Sequence, residues 1–345
     1  MIASDPPNPI HVQLRRAAGT SAHPILNIPD DRWQSLTECA ANKPQWLEMT
    51  PSDQLHVLNS GVKNGLFFIR FPPFQTLTIS EPGRWNLEGD RSFAARHPLS
   101  WNYLRPESPN YWFKMAQKQV YLRRIEPWLA VLPSNATVLE VGGGIGRFSI
   151  EWLRRGFQVT HTDPNADALV MAMEHLTKTA GTFSLWHLGA ERLSPLSNDE
   201  YDMVSAFEVF CYLSKPMEGL QEAMRVLQPG GLLFLSVETT TGASARGKTD
   251  SETPPDTFSA ENDVWVHLYT QQRLEDELKR TGFEVESVQG VHYLLDGPHG
   301  ETVDFDRLDE PEIREKIAEQ DRIMDDGQHG IPRAILAVAR KPHTS

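Results

Sequence analysis

The stretch VLEVGGGIGRFSIEWLRRG (residues 138–156) passes from a short apolar run into a cluster of glycines and then into an amphipathic helical pattern. Gly142, Gly144 and Gly146 alternate just past the acidic Glu140. Glycine tolerates positive φ and has no Cβ, so such a loop turns sharply and lets a ligand lie against bare backbone. The helix that follows opens with its first amides unpaired, which suits a carboxylate or phosphate. A tight strand-to-helix turn that binds nothing would use the same residues, so the reading depends on what flanks them.

Residues 158–162 read as a second strand, and it ends at Asp163. A carboxylate at that tip can accept hydrogen bonds from both hydroxyls of a ribose. The dinucleotide pattern G-x-G-x-x-G is not met, because its third glycine would fall at Arg147, and Glu140 beside the loop would repel a pyrophosphate. An adenosine ligand without phosphate fits better. S-adenosylmethionine is one, with a free ribose diol, an ammonium and a sulfonium.

On these residues the chain resembles the class I S-adenosylmethionine-dependent methyltransferases, of the kind found in quinone biosynthesis. VLEVGGGIGRFS resembles the first motif of that family, and THTDPN (residues 160–165) the second. LGAERLSPLSNDEYDMVSAFEVFCYL (residues 188–213) resembles the third motif with the fourth strand, and VLQPGGLLFLSVE (residues 226–238) the turn and strand after it. The resemblance runs over residues 134–290 and resumes in the last strand, about half the chain. It implies a doubly wound three-layer αβα sandwich, a Rossmann-like fold with a mostly parallel seven-stranded sheet and an antiparallel last strand.

The resemblance also implies site roles. Gly142, Gly144 and Gly146 would line the methionine part of S-adenosylmethionine, Glu140 would support its ammonium, and Asp163 with Pro164 would hold the ribose side. Phe207 and Glu208, at the end of the fourth strand, would sit near donor and acceptor. Where the family has an aspartate for the adenine amino group, this chain has Gly189. Glu191 would substitute, or the backbone of Ala190 would hold the adenine alone.

Around this centre the chain divides as follows. Residues 1–23 are rich in proline and small polar residues and read as a flexible arm without the basic and apolar regions of a signal peptide. Residues 24–107 read as a small α+β extension. A helix start at Thr50-Pro51-Ser52-Asp53 is followed by two β-rich runs in residues 65–80, broken at Pro72-Pro73. That apolar hairpin packs on the catalytic domain or forms a homodimer surface. Residues 108–345 form the methyltransferase domain. It opens at Ser108-Pro109 with a long helix carrying Trp112, Ala116 and Val120 at spacing four.

Further strands are expected at residues 183–188 and 201–208. Helices are expected after Asn165, carrying Leu169, Met173 and Leu176 and ended by Gly181, and again around Leu220, Met224 and Leu227, closed by Pro229-Gly230-Gly231. Strands alternating with helices imply parallel pairing. The alternation breaks at two insertions, residues 239–267 and 292–333. The first is polar and long enough to serve as a lid or to be a plain insertion. The second ends at the last strand, residues 334–340.

Tyr111 and Trp112 on the first helix, with Tyr212 and Tyr293, are candidate walls of an acceptor pocket; aromatics that merely anchor elements to the core would look the same. Methyl transfer from a sulfonium needs little beyond alignment and desolvation. If the acceptor needs a base, His267 and His292 stand at the edges of the two insertions, and with Glu208 at the end of the fourth strand, which could instead be a buried acid paired with a neighbouring helix, they are the candidate catalytic groups. No compact metal-ligand spacing is present, although His292 and His299 lie near Asp296.

The balance of 46 acidic against 33 basic residues, a net charge of −13, argues against a nucleic-acid substrate, which requires a basic face. Arg123 with Arg124, and Arg154 with Arg155, read as solvated helix faces. Two cysteines make neither a zinc site nor a disulfide framework and suit a reducing cytoplasm. The expected acceptor is a small molecule or small peptide, methylated on oxygen or nitrogen. The alternatives are a non-catalytic protein that kept the fold, or an enzyme such as a cyclase that uses the cofactor without methyl transfer.

Overall fold

Strand and helix alternate along the chain because its apolar residues switch between period two and period 3.6. The computed structural model describes residues 69–70, 90, 93–94, 96–194, 196–245, 256–259, 264–295, 303–324 and 330–343. In chain order the elements are β1 (Ile69–Arg70), α1 (Pro98–Trp101), α2 (Tyr111–Leu129), β2 (Thr137–Val141), α3 (Ser149–Arg154), β3 (Gln158–Asp163), α4 (Ala166–Leu176) and β4 (Phe183–His187). There follow β5 (Tyr201–Phe207), α5 (Pro216–Val226), β6 (Leu227–Glu238), α6 (Thr240–Ala245), β7 (Asp256–Ser259), β8 (Val264–His267), α7 (Gln271–Thr281), β9 (Glu284–Val291), α8 (Pro311–Met324) and β10 (Ala334–Arg340). Two compact units result, Met1–Thr78 with Gly143–Gly189, and Ile79–Gly142 with Ala190–Ser345.

In the first unit β3 and β4 pair in parallel, from Val159 opposite Phe183 to Asp163 opposite His187, and β1 adds to the far side of β4 in parallel. Asn165 caps α4 by accepting the Asp167 amide at 3.0 Å. That helix buries Leu169, Met173 and Leu176 as its spacing requires. It stops at Leu176 with Thr177 as its cap, before the glycine expected to end it. Gly181, at φ +135°, instead forms the turn into β4.

In the second unit β2, β5 and β6 pair in parallel, while β10 runs antiparallel to both β6 and β9. β10 is buried from Ala334 to Ala339, which explains its unbroken apolar run. The expected stop at Pro229-Gly230-Gly231 is not a break: β6 begins at Leu227 and runs through it. The register against β5 slips there, from Tyr201 opposite Leu227 to Met203 opposite Leu232, so the three residues form a bulge. The end of β10 fills that bulge, with Arg340 Nη1 donating to the Gly230 carbonyl at 2.8 Å and the Lys341 amide to Gly231 at 2.9 Å. α7 starts at its Thr270 cap and ends at Gly282 in the left-handed region.

Both insertions carry structure. The first contains α6 and the antiparallel hairpin of β7 and β8. The second contains α8, which packs on α2 through a buried ion pair, Arg124 Nη2 to Asp321 Oδ1 at 3.3 Å, flanked by the exposed pair Arg123 and Glu319. Parallel strands joined by helices, closed by an antiparallel last strand, make this the doubly wound, Rossmann-like α/β class that the motifs imply. The arm and nearly all of the extension, with the Thr50 helix start and the Pro72-Pro73 hairpin, lie outside the described residues, as do Asp296 and His299. Among the described residues no helix is long and apolar enough to cross a membrane.

Candidate functional site

The glycine loop is built in the first unit by hydrogen bonds from β3. The Gly143 amide donates to the Thr162 carbonyl at 3.0 Å, and the Gly144 amide to Asp163 Oδ2 at 2.8 Å. The other oxygen of Asp163 accepts the Asn165 amide at 2.7 Å. One carboxylate therefore joins the loop after β2 to the turn that caps α4. Each carboxylate oxygen can accept more than one hydrogen bond, so these amide contacts are compatible with a ribose diol as a further donor. Gly144 and Gly146 have φ of +55° and +99°. A Cβ on Gly146 would meet Leu176 Cδ2 at 3.3 Å, so the loop lies close against α4.

His161 braces the same loop from inside β3. It is fully buried, with Nδ1 2.9 Å from Ser149 Oγ and Nε2 3.1 Å from the Gly144 carbonyl oxygen. The neutral ring satisfies both contacts if Nε2 carries the proton and Nδ1 accepts from the hydroxyl. Burial favours that form and pushes the pKa down to about 4, against the smaller upward effect of the Gly144 carbonyl. His187 Nε2 lies 2.9 Å from the Pro164 carbonyl oxygen, fixing the turn after Asp163.

In the second unit Glu140 is buried on β2 and accepts from Ser205 Oγ at 2.6 Å. Gly142 has φ +60°, and a Cβ there would fall 2.7 Å from Val209 Cγ2. Ala190 is buried. Glu191 has a structural partner: its Oε1 accepts the Ser214 amide and hydroxyl, both at 3.1 Å.

The carboxyl end of β5 carries the densest chemistry. Phe207 is buried with its ring 5.0 Å from Tyr121, and Tyr121 meets His292 edge-on at 4.5 Å. Glu208 has φ +60°, rare for a residue with a side chain, and its amide donates to Ser236 Oγ at 2.9 Å. Its carboxylate accepts from Arg333 Nη1 at 3.0 Å, with both side chains 20% exposed. The Arg333 amide donates to the carbonyl of His292 at 3.4 Å, and its carbonyl accepts the Thr239 amide at 3.0 Å. Arg333 thus ties together the end of β5 and the starts of both insertions.

His292, fully buried at φ +61°, is held by Asp321, whose Oδ1 accepts its amide at 3.3 Å and whose Oδ2 accepts the Tyr293 amide at 2.8 Å. Tyr293 is buried with its phenol over Gly290, where a Cβ would collide with it. His267 is buried at the end of β8, opposite Asp256, and β8 packs on the short turn Phe210–Tyr212. In that turn burial, then the Glu238 carboxylate, push the Cys211 thiol up. Cys211, burial, Glu238 and Glu208 together hold the Tyr212 phenol far above its ordinary range, so it stays protonated.

Phe207, Glu208, Tyr212 and His292 thus belong to one neighbourhood, with Arg333 as a member that sequence reasoning missed. Tyr111 is half-buried and meets Trp112 edge-on at 4.6 Å. Trp112 is 37% exposed and lies under the guanidinium of Arg314 from α8 at 4.8 Å. This contact joins α2 to the second insertion. His161 and Asp321 also escaped notice, the first inside a quoted motif and the second in an insertion without one.

The family model of a methyltransferase domain matches residues 111–288. A ubiquinone biosynthesis O-methyltransferase of Xanthomonas axonopodis pv. citri is 25% identical over 202 residues, 58% of this chain and 82% of that protein. One from Hydrogenovibrio crunogenus is 30% identical over 102 residues, 30% of this chain and 42% of the relative. A thiol S-methyltransferase of Mus musculus is 34% identical over 108 residues, 29% of this chain and 41% of the relative. The chain spans less than half the length of the latter two. With the glycine loop, the strand-end carboxylate and the strand order of each unit, this match places the chain in the methyltransferase-domain family, among the class I S-adenosylmethionine-dependent methyltransferases.

Proposed function

We propose that this chain transfers the methyl group of S-adenosylmethionine to oxygen or nitrogen of a small-molecule or small-peptide acceptor. The observation that carries the reading is the Gly144 amide on Asp163 Oδ2 at 2.8 Å, which sets a carboxylate against a glycine loop that lacks the third glycine of the dinucleotide pattern. Gly142, Gly144 and Gly146 take the methionine part, Glu140 its ammonium, and Asp163 with Pro164 the ribose. The engagement of Glu191 by Ser214 supports the Ala190 backbone as the adenine contact. Phe207 and Glu208 face the reacting end. Tyr212 and Tyr293 bound the acceptor, and Tyr111 and Trp112 contribute through the α2 and α8 face.

In the reaction the acceptor nucleophile forms a bond to the methyl carbon as the sulfur–carbon bond breaks. The electron pair returns to sulfur, and the acceptor loses its proton. Alignment supplies most of the barrier reduction, of the order of 7–11 kcal/mol for well-placed reactants. The buried setting of His267 and His292 supports packing roles, so a base, where one is needed, is Glu208 or the acceptor's own ionisation. Acidic balance and cysteine usage support a cytoplasmic enzyme.

The test is transfer of radiolabel from methyl-labelled S-adenosylmethionine in a cell extract that is then separated by size. Label in the low-mass fraction, matched by S-adenosylhomocysteine formation, is expected. Label confined to nucleic acid or large proteins, or none, would overturn the reading.

A further inference from the structure

Three consecutive residues of β3 grip the glycine loop, all within the first unit. Thr162 accepts the Gly143 amide on its carbonyl at 3.0 Å, Asp163 Oδ2 accepts the Gly144 amide at 2.8 Å, and His161 Nε2 lies 3.1 Å from the Gly144 carbonyl oxygen. His161 and Asp163 reach the same glycine because residues two apart on a strand project to one face. A carbonyl oxygen only accepts, so Nε2 carries the proton at that contact. Gly144, at φ +55°, is therefore held at its amide and at its carbonyl by two side chains of one strand. Glycine has wide backbone freedom, and these two holds are what remove it.

Ser149, the first residue of α3, sets the imidazole in turn. Its Oγ lies 2.9 Å from Nδ1 and donates to the bare nitrogen of the neutral ring. Ser149 and His161 are both 0% exposed, so neither presents a surface to a ligand. Burying an imidazole where an apolar side chain would pack is unfavourable unless its nitrogens are bonded, and here both bonds run to the loop and to the helix that follows it. The loop is continuous up to that helix: the Gly146 amide donates to the Gly143 carbonyl and the Ile150 amide to the Gly146 carbonyl, each at 3.0 Å.

We infer that Ser149 and His161 are positioning residues for ribose recognition. The hydroxyl fixes the imidazole, the imidazole fixes the Gly144 carbonyl, and Gly144 so held keeps its amide on Asp163 and orients that carboxylate for the diol. This rests on the proposed reading of Asp163 as the ribose acceptor. Selectivity for the 2′-hydroxyl is thereby controlled by two buried residues that act only through Gly144.

The experiment is calorimetric titration of the full chain with S-adenosylhomocysteine and with its 2′-deoxy analogue, taking the ratio of the two dissociation constants. Wild type should prefer the ribose ligand roughly tenfold or more, the scale of a hydrogen bond to a charged group. His161→Leu should cut that preference about three- to tenfold and Ser149→Ala about two- to threefold, while His161→Gln, whose amide makes both contacts, should keep it. Adding Ser149→Ala to His161→Leu should change nothing further, because the two act in series. Nitrogen NMR of the wild-type ring should show a protonated Nε2 and a bare Nδ1. A general lesion would weaken both ligands together and leave the ratio alone. An unchanged ratio in His161→Leu, or in Ser149→Ala should His161→Leu fail to fold, would overturn the inference, as would the opposite tautomer or additive effects in the double variant. Equal affinity of wild type for the two ligands would instead overturn the reading of Asp163.

Discussion

The amide of Gly144 donates to Asp163 Oδ2 at 2.8 Å, so the glycine loop and the strand-end carboxylate form one unit of structure. Replacing Asp163 with alanine therefore removes the proposed ribose acceptor and a loop brace together. The expected loss in S-adenosylhomocysteine affinity is about 1.5–3 kcal/mol, the range for hydrogen bonds to a charged group. Calorimetry with circular dichroism as a fold control checks it. Unchanged affinity in a folded variant would put the ribose elsewhere.

His161 makes the stability of the loop pH-dependent. Its folded pKa is pushed down to about 4, below the ordinary value near 6.5. A buried histidine of this kind contributes stability that is whole above about pH 6.5 and is lost as pH falls toward 4, because the unfolded chain takes up the proton first. The shift corresponds to about 3 kcal/mol at most. Denaturant melts of wild type and His161→Gln between these limits should show a shallower pH slope in the variant, whose amide can replace both hydrogen bonds but cannot titrate.

Gly142→Ala should be costly for two separable reasons. The residue is at φ +60°, and its new Cβ would lie 2.7 Å from Val209 Cγ2. Left-handed strain alone costs about 1–3 kcal/mol. Adding Val209→Ala should recover the clash but not the strain. Thermal melts of the single and double variants that show no recovery would mean Val209 is not the obstacle.

The pair Arg124 and Asp321, with side chains 3% and 0% exposed, holds α8 to α2 and the Asp321 carboxylate to the His292 and Tyr293 amides. Breaking it with Arg124→Met leaves a buried charge unpaired and should cost about 3–5 kcal/mol. Hydrogen exchange should rise in residues 311–324 and 292–295 together. Protection unchanged in both would show that the second insertion is held by other contacts.

The alternation of strands and helices was legible because burial imposes a local period, and β10 was placed at its true limits by one unbroken apolar run. The glycine loop and Asp163 were legible for a different reason, since backbone geometry demands particular residues there. Arg333, Asp321 and His161 were not. Arg124 meets Asp321 across 197 positions of sequence, and no local pattern announces such a partner. His161 sits in a strand where histidine, threonine and valine fit equally well, and its task comes from Ser149 on the preceding helix and from the Gly144 carbonyl in the loop. The bulge at Pro229-Gly230-Gly231 was hidden because those residues also form turns, and the decision rests on the tail after β10 that fills it.

The most direct measurement is isothermal titration of the purified chain with S-adenosylmethionine, S-adenosylhomocysteine and NAD under one set of conditions. The loop lacks the third dinucleotide glycine, and Asp163, held against the loop by the Gly144 amide, is the proposed acceptor for a free ribose diol. The expected result is saturable binding of both adenosyl ligands, weakened by Asp163→Ala, with no heat from NAD. NAD binding tighter than either would contradict the assignment of the site.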